Sequence, residues 1–286
     1  MAGYAGAWGC LVFGAALLAV GPAQAQLAPP MSVISVGCGP VGTGWTTTGP
    51  LGVGLQDSCD LADSGVGPQG PYSHQAAASV NTGLGGGGAV DANASVTSQG
   101  DPLHMWTAGA GGSVQYVVSL AGTGQAPPTT VARVPVRFSA AGMASVSDSD
   151  HGHFQITAQV ADVNFPFGSF VRNWEGGGSH SDSFSGSTTL QVSTQPGNGF
   201  SVLVSATCDV SVWSDRTAEC TAAADPLFSF DQAAFDAAMG ANSFALDRYY
   251  QLQASPGVTL VPEPASAWLA LAGGLLLALR RRRATA

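Results

Sequence analysis

Phe200-Ser201-Val202-Leu203-Val204-Ser205-Ala206-Thr207-Cys208-Asp209-Val210-Ser211-Val212 decides the fold. Every even position is apolar, and the odd positions are polar except Leu203. A period of two places one set of side chains on each face of an extended chain, so this is a half-buried β-strand with Cys208 on its buried face.

The same alternation recurs on both sides of it. Val90, Ala92, Ala94 and Val96 alternate with Asp91, Asn93, Ser95 and Thr97, and Val114, Tyr116, Val118 and Leu120 repeat the pattern. Ala132 to Phe138, Phe154 to Val160, and Leu190 with Val192 do so again. Pro196-Gly197-Asn198-Gly199 is a turn signal between two such runs, and Pro135 predicts an edge strand or a bulge. Short alternating strands separated by turns predict an all-β body, an antiparallel, jelly-roll-like β-sandwich over 89–260 with its apolar faces packed together. One short helix is expected in it, from Gln232 to Met239, capped by Asp231 and ended by Gly240. Asp225-Pro226 ahead of it predicts a turn, and Tyr249 to Gln253 a last strand before a bend at Ser255-Pro256-Gly257. Residues 26–88 are rich in Gly, Pro and Ser and predict an irregular region with one or two strands, one of them at Val33-Ile34-Ser35-Val36.

Of the five cysteines, Cys10 lies in an N-terminal apolar stretch, which leaves Cys38, Cys59, Cys208 and Cys220. Four cysteines in an exported chain predict two disulfides, with three connectivities open. Cys38–Cys59 and Cys208–Cys220 are preferred because each closes a short loop, and a turn near Ser214-Asp215-Arg216 would bring Cys220 back to Cys208 across a hairpin. No C-x-x-C spacing or nearby histidine favours zinc.

Leu11 to Val20, followed by Gly21-Pro22 and Ala23-Gln24-Ala25, reads as a secretory signal peptide over 1–25, cut by signal peptidase after Ala25. No Lys or Arg precedes its apolar stretch. At the other end, Val261-Pro262-Glu263-Pro264 leads into an uncharged run from Ala265 to Leu279, and then Arg280, Arg281, Arg282 and Arg283. As a helix that run would be about 22 Å long, short of a hydrocarbon core of about 30 Å. The arginines stay on the cytoplasmic side, so everything upstream is expected outside the cytoplasm. Pro262 and Pro264 hold the preceding residues extended and remove backbone donors, leaving a segment that a processing enzyme can grip.

Pro262-Glu263-Pro264, the apolar run and the arginine cluster, in that order, resemble the PEP-CTERM sorting signal of Gram-negative bacteria. The resemblance covers 261–286. It implies a single transmembrane helix at 265–279, transient residence in the inner membrane, and recognition by an exosortase. It also implies release to the cell surface or the extracellular space, and association with exopolysaccharide and biofilm or floc formation. An ordinary short C-terminal anchor is the plainer alternative.

Between the two signals the chain has five arginines, no lysine and seventeen carboxylates, a net charge near −12. That balance argues against nucleic acid or anionic lipid as a partner, since both require positive charge to neutralise phosphate.

Candidate chemistry is sparse. Gly37-Cys38-Gly39-Pro40-Val41-Gly42 satisfies G-x-G-x-x-G, but Thr43 to Pro50 cannot propagate the helix a dinucleotide site needs. Gly83 to Gly88 reads as a flexible turn rather than a phosphate cradle. Asp148-Ser149-Asp150-His151-Gly152-His153 is the densest polar cluster: a polar turn between two strands, or a weak calcium site at Asp148 and Asp150, or a histidine metal site at His151 and His153. Trp45, Trp106, Trp174 and Trp213 are candidates for a sugar-stacking surface, with Trp213 on the polar parity of its strand. No nucleophile elbow and no cofactor motif is present. The expectation is a non-enzymatic exported surface or matrix protein; the alternative is a secreted carbohydrate-binding or polysaccharide-active protein.

Overall fold

A computed structural model describes residues 27–40, 46–48, 54–83, 87–100, 104–161, 166–195, 198–213 and 215–260. The signal peptide with Ala23 and Ala25, Trp45, the Pro262-Glu263-Pro264 motif, the helix at 265–279 and Arg280 to Arg283 lie outside them. Among the described residues no helix is long and apolar enough to cross a membrane.

The strands are β1 (Met31–Pro40), β2 (Thr46–Thr48), β3 (Gln56–Gly67), β4 (Gly70–Thr82), β5 (Val90–Gln99), β6 (Trp106–Gly122), β7 (Arg133–Ala161), β8 (Pro166–Ser193), β9 (Gly199–Val212), β10 (Arg216–Phe230) and β11 (Tyr250–Ala254). Two α-helices, α1 (Gln232–Met239) and α2 (Leu246–Tyr249), precede β11. The expected all-β, antiparallel body is what forms. All eleven strands join one sheet in the order β2-β1-β6-β9-β7-β10-β5-β4-β3, with β11 on β6 and β8 on β7, and it closes nearly into a barrel.

The closure follows from the length of β7 and β8. One half of β7, Val136 to Ser147, pairs with β10, while His151 to Ala161 pairs with β9. The hairpin β7–β8 therefore belongs to both arms of the sheet and is folded over at its middle. Register shifts lie between Val146 and Ser149 and between Ser149 and Gly152. At the same level β8 has Gly176-Gly177-Gly178, with Gly178 at φ 91°, a conformation glycine adopts without strain. A Cβ on Gly152 would lie 2.6 Å from a Val146 methyl, so the corner also needs a glycine in β7.

Folding β8 about Gly177 brings its halves together in rungs. Trp174 stacks on His180 with centroids 5.0 Å apart, Arg172 Nε lies 3.6 Å from Asp182 Oδ2, and Phe170 stacks on Phe184 at 5.8 Å. Along a straight strand the two phenylalanines would be about 46 Å apart, at about 3.3 Å per residue. On the other side of the barrel a disulfide joins Cys38 of β1 to Cys59 of β3. A second joins Cys208 of β9 to Cys220 of β10 below the corner. Both preferred pairings are present. The route of the second differs from the expected hairpin, because Cys208 lies opposite Phe154 and Cys220 opposite Val146, on the two halves of β7.

The predicted alternation is the core. Val90 to Val96, Val114 to Val118, Phe154 to Val160 and Phe200 to Val212 are buried at every even position. Phe138 anchors the middle, stacked on Phe228 at 5.1 Å and near Phe170 at 5.9 Å. Several expectations are corrected. Region 26–88 holds β1 to β4, all in the same sheet, and Ala76, Ala78 and Val80 of β4 are core residues. Ala132 is exposed and precedes β7. Asp225-Pro226 lies within β10 rather than in a turn, tolerated there because pairing with β5 stops at Ala224.

Helix α1 forms as the sequence predicts, with Phe235 buried, but beyond the one helix expected a second, four-residue helix α2 also forms. Asp231 Oδ1 accepts from the Ala234 N–H at 3.1 Å, Oδ2 accepts from Thr189 Oγ1 at 2.6 Å, and Arg137 lies 3.7 Å away. The Thr189 hydrogen bond, then the Ala234 N–H, then Arg137 hold this carboxyl below the usual range. A lowered folded pKa contributes stability that is full above about pH 4 and lost as pH falls through the folded value. Asp231→Ala is expected to cost about 1 kcal/mol at neutral pH, and the gap to wild type should close as pH falls below 4 in urea titrations.

Candidate functional site

The polar cluster singled out in the sequence is not a turn between strands. Asp148 to His153 is the corner of β7 itself: pairing with β10 ends at Ser147, pairing with β9 begins at His151, and β8 pairs across the corner at Ser149 and again from Gly152. Asp148 sits at φ 49° and its N–H donates to Ser179 Oγ at 2.9 Å. The buried Ser149 hydroxyl donates to the Gly178 carbonyl at 3.2 Å. These bonds bind the corner of β7 to the glycine corner of β8.

Asp150 uses both oxygens on the adjacent β9–β10 connection. Oδ1 accepts from Arg216 at 2.8 Å, and Oδ2 accepts from the Trp213 backbone N–H at 2.8 Å. Among the described residues, no three His, Cys, Asp or Glu side chains converge to hold a metal ion. Asp150 is a structural acceptor here. His153 and Asp209 meet at 2.9 Å between Nδ1 and Oδ2, and since an ionised carboxylate can only accept, Nδ1 carries the proton. His151 Nε2 lies 3.8 Å from Glu175 Oε1, too far for a direct hydrogen bond.

The tryptophans separate. Trp106 is buried because it falls on the inner parity of β6, and its ring stacks on His74 at 4.7 Å, which stacks on Tyr72 at 5.2 Å. Trp174 is half-buried in the folded β8 seam, against His180 and Phe154. Trp213 is 48% exposed, as its polar parity predicts. Its carbonyl accepts from Ser98 Oγ at 3.2 Å, and Ser98 in turn accepts from His74 Nδ1 at 3.0 Å. Gly37 to Pro40, the start of the glycine motif, are part of β1, with Cys38 in its disulfide, and the next described residues, Thr46–Thr48, form a strand rather than the helix a dinucleotide site needs.

The corner holds Asp148, Asp150, Trp213 and the β9–β10 connection at one end of the barrel. At the other end a groove of about 990 Å³ opens between β10, α1, α2 and β11, lined by Phe230, Phe244, Tyr250, Leu252 and Leu260 with Asp236 and Asp247 at its polar positions. Neither the folded seam nor this groove is read from the alternation. The seam did leave a signal: Phe170, Arg172 and Trp174 mirror Phe184, Asp182 and His180 about Gly177.

No protein-family model and no curated protein matches the chain.

Asp150→Ala should free the Trp213 amide and leave Arg216 unpaired. We expect about 2 kcal/mol of lost stability, in line with hydrogen bonds to a charged group. Faster hydrogen exchange should be confined to the β9–β10 connection. Unchanged exchange at Trp213 would show that Asp150 does not hold it.

Proposed function

We propose that the chain is an exported, non-catalytic domain of the cell surface or extracellular matrix of a Gram-negative bacterium. In this reading signal peptidase removes 1–25, the C-terminal helix holds the protein briefly in the inner membrane, and an exosortase processes it at or near Pro262-Glu263-Pro264. The observation that carries the reading is where the bonds of the last described residues lie. Ser255 Oγ accepts from the Val117 N–H at 2.9 Å, and the Thr259 carbonyl accepts from Gly87 N–H at 2.9 Å, while Val258 is buried. These bonds end two residues before Val261, so a cut at the motif removes none of them. Both disulfides agree with an oxidising compartment outside the cytoplasm.

We describe the two facing arms as a jelly-roll-like sandwich. In support, Gly112 of β6 faces Val80 and Val90 across the core, where a Cβ would lie 2.8 and 3.0 Å from their methyl carbons. The acidic body favours uncharged matrix partners such as neutral exopolysaccharide over nucleic acid.

Mass spectrometry of the extracellular fraction tests the reading. The expected mature form begins at Gln26 and lacks Ala265 to Ala286. Recovery of secreted protein that retains Arg280 to Ala286 would overturn processing.

A further inference from the structure

The exposed large apolar side chains among the described residues are Met31, Val33, Leu61, Val66, Met143 and Trp213. Trp213 is the single aromatic in that set, and its surroundings differ from those of a stray surface residue. Its N–H is fixed by Asp150 and its carbonyl by Ser98, which is held by His74. Next to it Asp215 adopts φ 48° and accepts the Gly100 N–H on Oδ1 at 2.9 Å. Side chains from β4, β5 and β7 thus immobilise the backbone that carries an indole filling no core. A rigid, exposed aromatic surface loses little conformational freedom when it meets a ligand.

Groups with spare hydrogen-bonding capacity lie on the neighbouring strands β7 and β8. His151 is the register partner of Ser211, which lies two residues before Trp213, and it follows Asp150, which holds the Trp213 N–H. His151 is 50% and Glu175 70% exposed, and their 3.8 Å separation leaves an imidazole nitrogen and a carboxylate able to bond a third molecule. The His153–Asp209 pair continues the same face one step further along the strands.

We propose that Trp213, His151 and Glu175 form a platform for a pyranose ring of a neutral glycan. A pyranose has an apolar C–H face that matches the indole and a rim of hydroxyls that both donate and accept, which suits imidazole and carboxylate neighbours. Charge selects within the class. Asp148, Asp150, Asp209, Asp215, Glu175 and Glu219 outnumber Arg172 and Arg216 around the corner, so a uronate or sulfated polymer is repelled. One indole ringed by polar groups is also too small an apolar patch for a protein interface. The platform lies at the end of the barrel opposite Leu260 and the groove. This inference does not depend on how the chain is exported or processed.

Affinity electrophoresis of the full chain in mild detergent tests it, with hydroxyethyl cellulose and galactomannan as neutral polymers and polygalacturonate as the acidic one. Wild type should be retarded by at least one neutral polymer and not by polygalacturonate. Trp213→Ala should weaken that retardation about tenfold or more, Trp213→Phe should fall between, and Met143→Ala should behave as wild type. Should Trp213→Ala fail to fold, Glu175→Gln decides the matter by weakened retardation with an unchanged thermal midpoint. Absence of retardation by both neutral polymers, retardation by polygalacturonate instead, or undiminished retardation of the folded variants would overturn the proposal.

Discussion

The fold-over of the β7–β8 hairpin is the constraint on which the barrel depends. Two strands of this length would be unstable as an isolated ribbon, since a hairpin alone exposes both faces to water. Bent at Ser147–Gly152 and at Gly176–Gly178, the same hairpin contributes one half to each arm and turns both inner faces toward a common core. Phe138, Phe154, Phe184 and Val146 on β7 and β8 are then buried together with Phe200, Phe228 and the Cys208–Cys220 bridge. Cys38–Cys59 ties the arms on the far side, where no strand pairing of β1 with β3 does so.

The strands whose inner positions are large and β-branched were legible in the sequence, because alternation of Val, Ile and Phe with polar residues has one structural meaning. Where the inner positions are small, the signal fades. Ala76 and Ala78 of β4 are as buried as any valine, yet in a Gly- and Ser-rich segment they read as irregular chain. The β7 corner is not legible for a different reason: Asp148, Asp150, His151 and His153 carry the composition of a turn, but their partners lie on β8, β9 and β10, too distant in sequence to be inferred. The cysteine pairing is read correctly from its loop lengths, although the strand that lies between Cys208 and Cys220, β7, leaves no sign there. At the candidate site, parity placed Trp106 inside and Trp213 outside. The bonds from Asp150 and Ser98 that make Trp213 rigid are long-range and left no local trace.

The two ends of the barrel have different characters. The end that carries α1, α2 and β11 holds the bonds of the last described residues and the Asp231 cap. The opposite end gathers both non-glycine residues with positive φ among those described, Asp148 and Asp215, together with the exposed indole and most of the histidines. Locally constrained backbone concentrated at one place, and held by side chains from several strands, is how rigid scaffolds present a binding surface.

Nuclear Overhauser contacts between side chains of β8 test the folded hairpin most directly. The account predicts strong cross-peaks between the Trp174 and His180 rings and between the Phe170 and Phe184 rings, whose centroids lie 5.0 and 5.8 Å apart. In a straight strand these pairs would be about 20 and about 46 Å apart, beyond detection. Absence of both contacts in the folded, oxidised protein would contradict the fold-over, and with it the closure of the barrel.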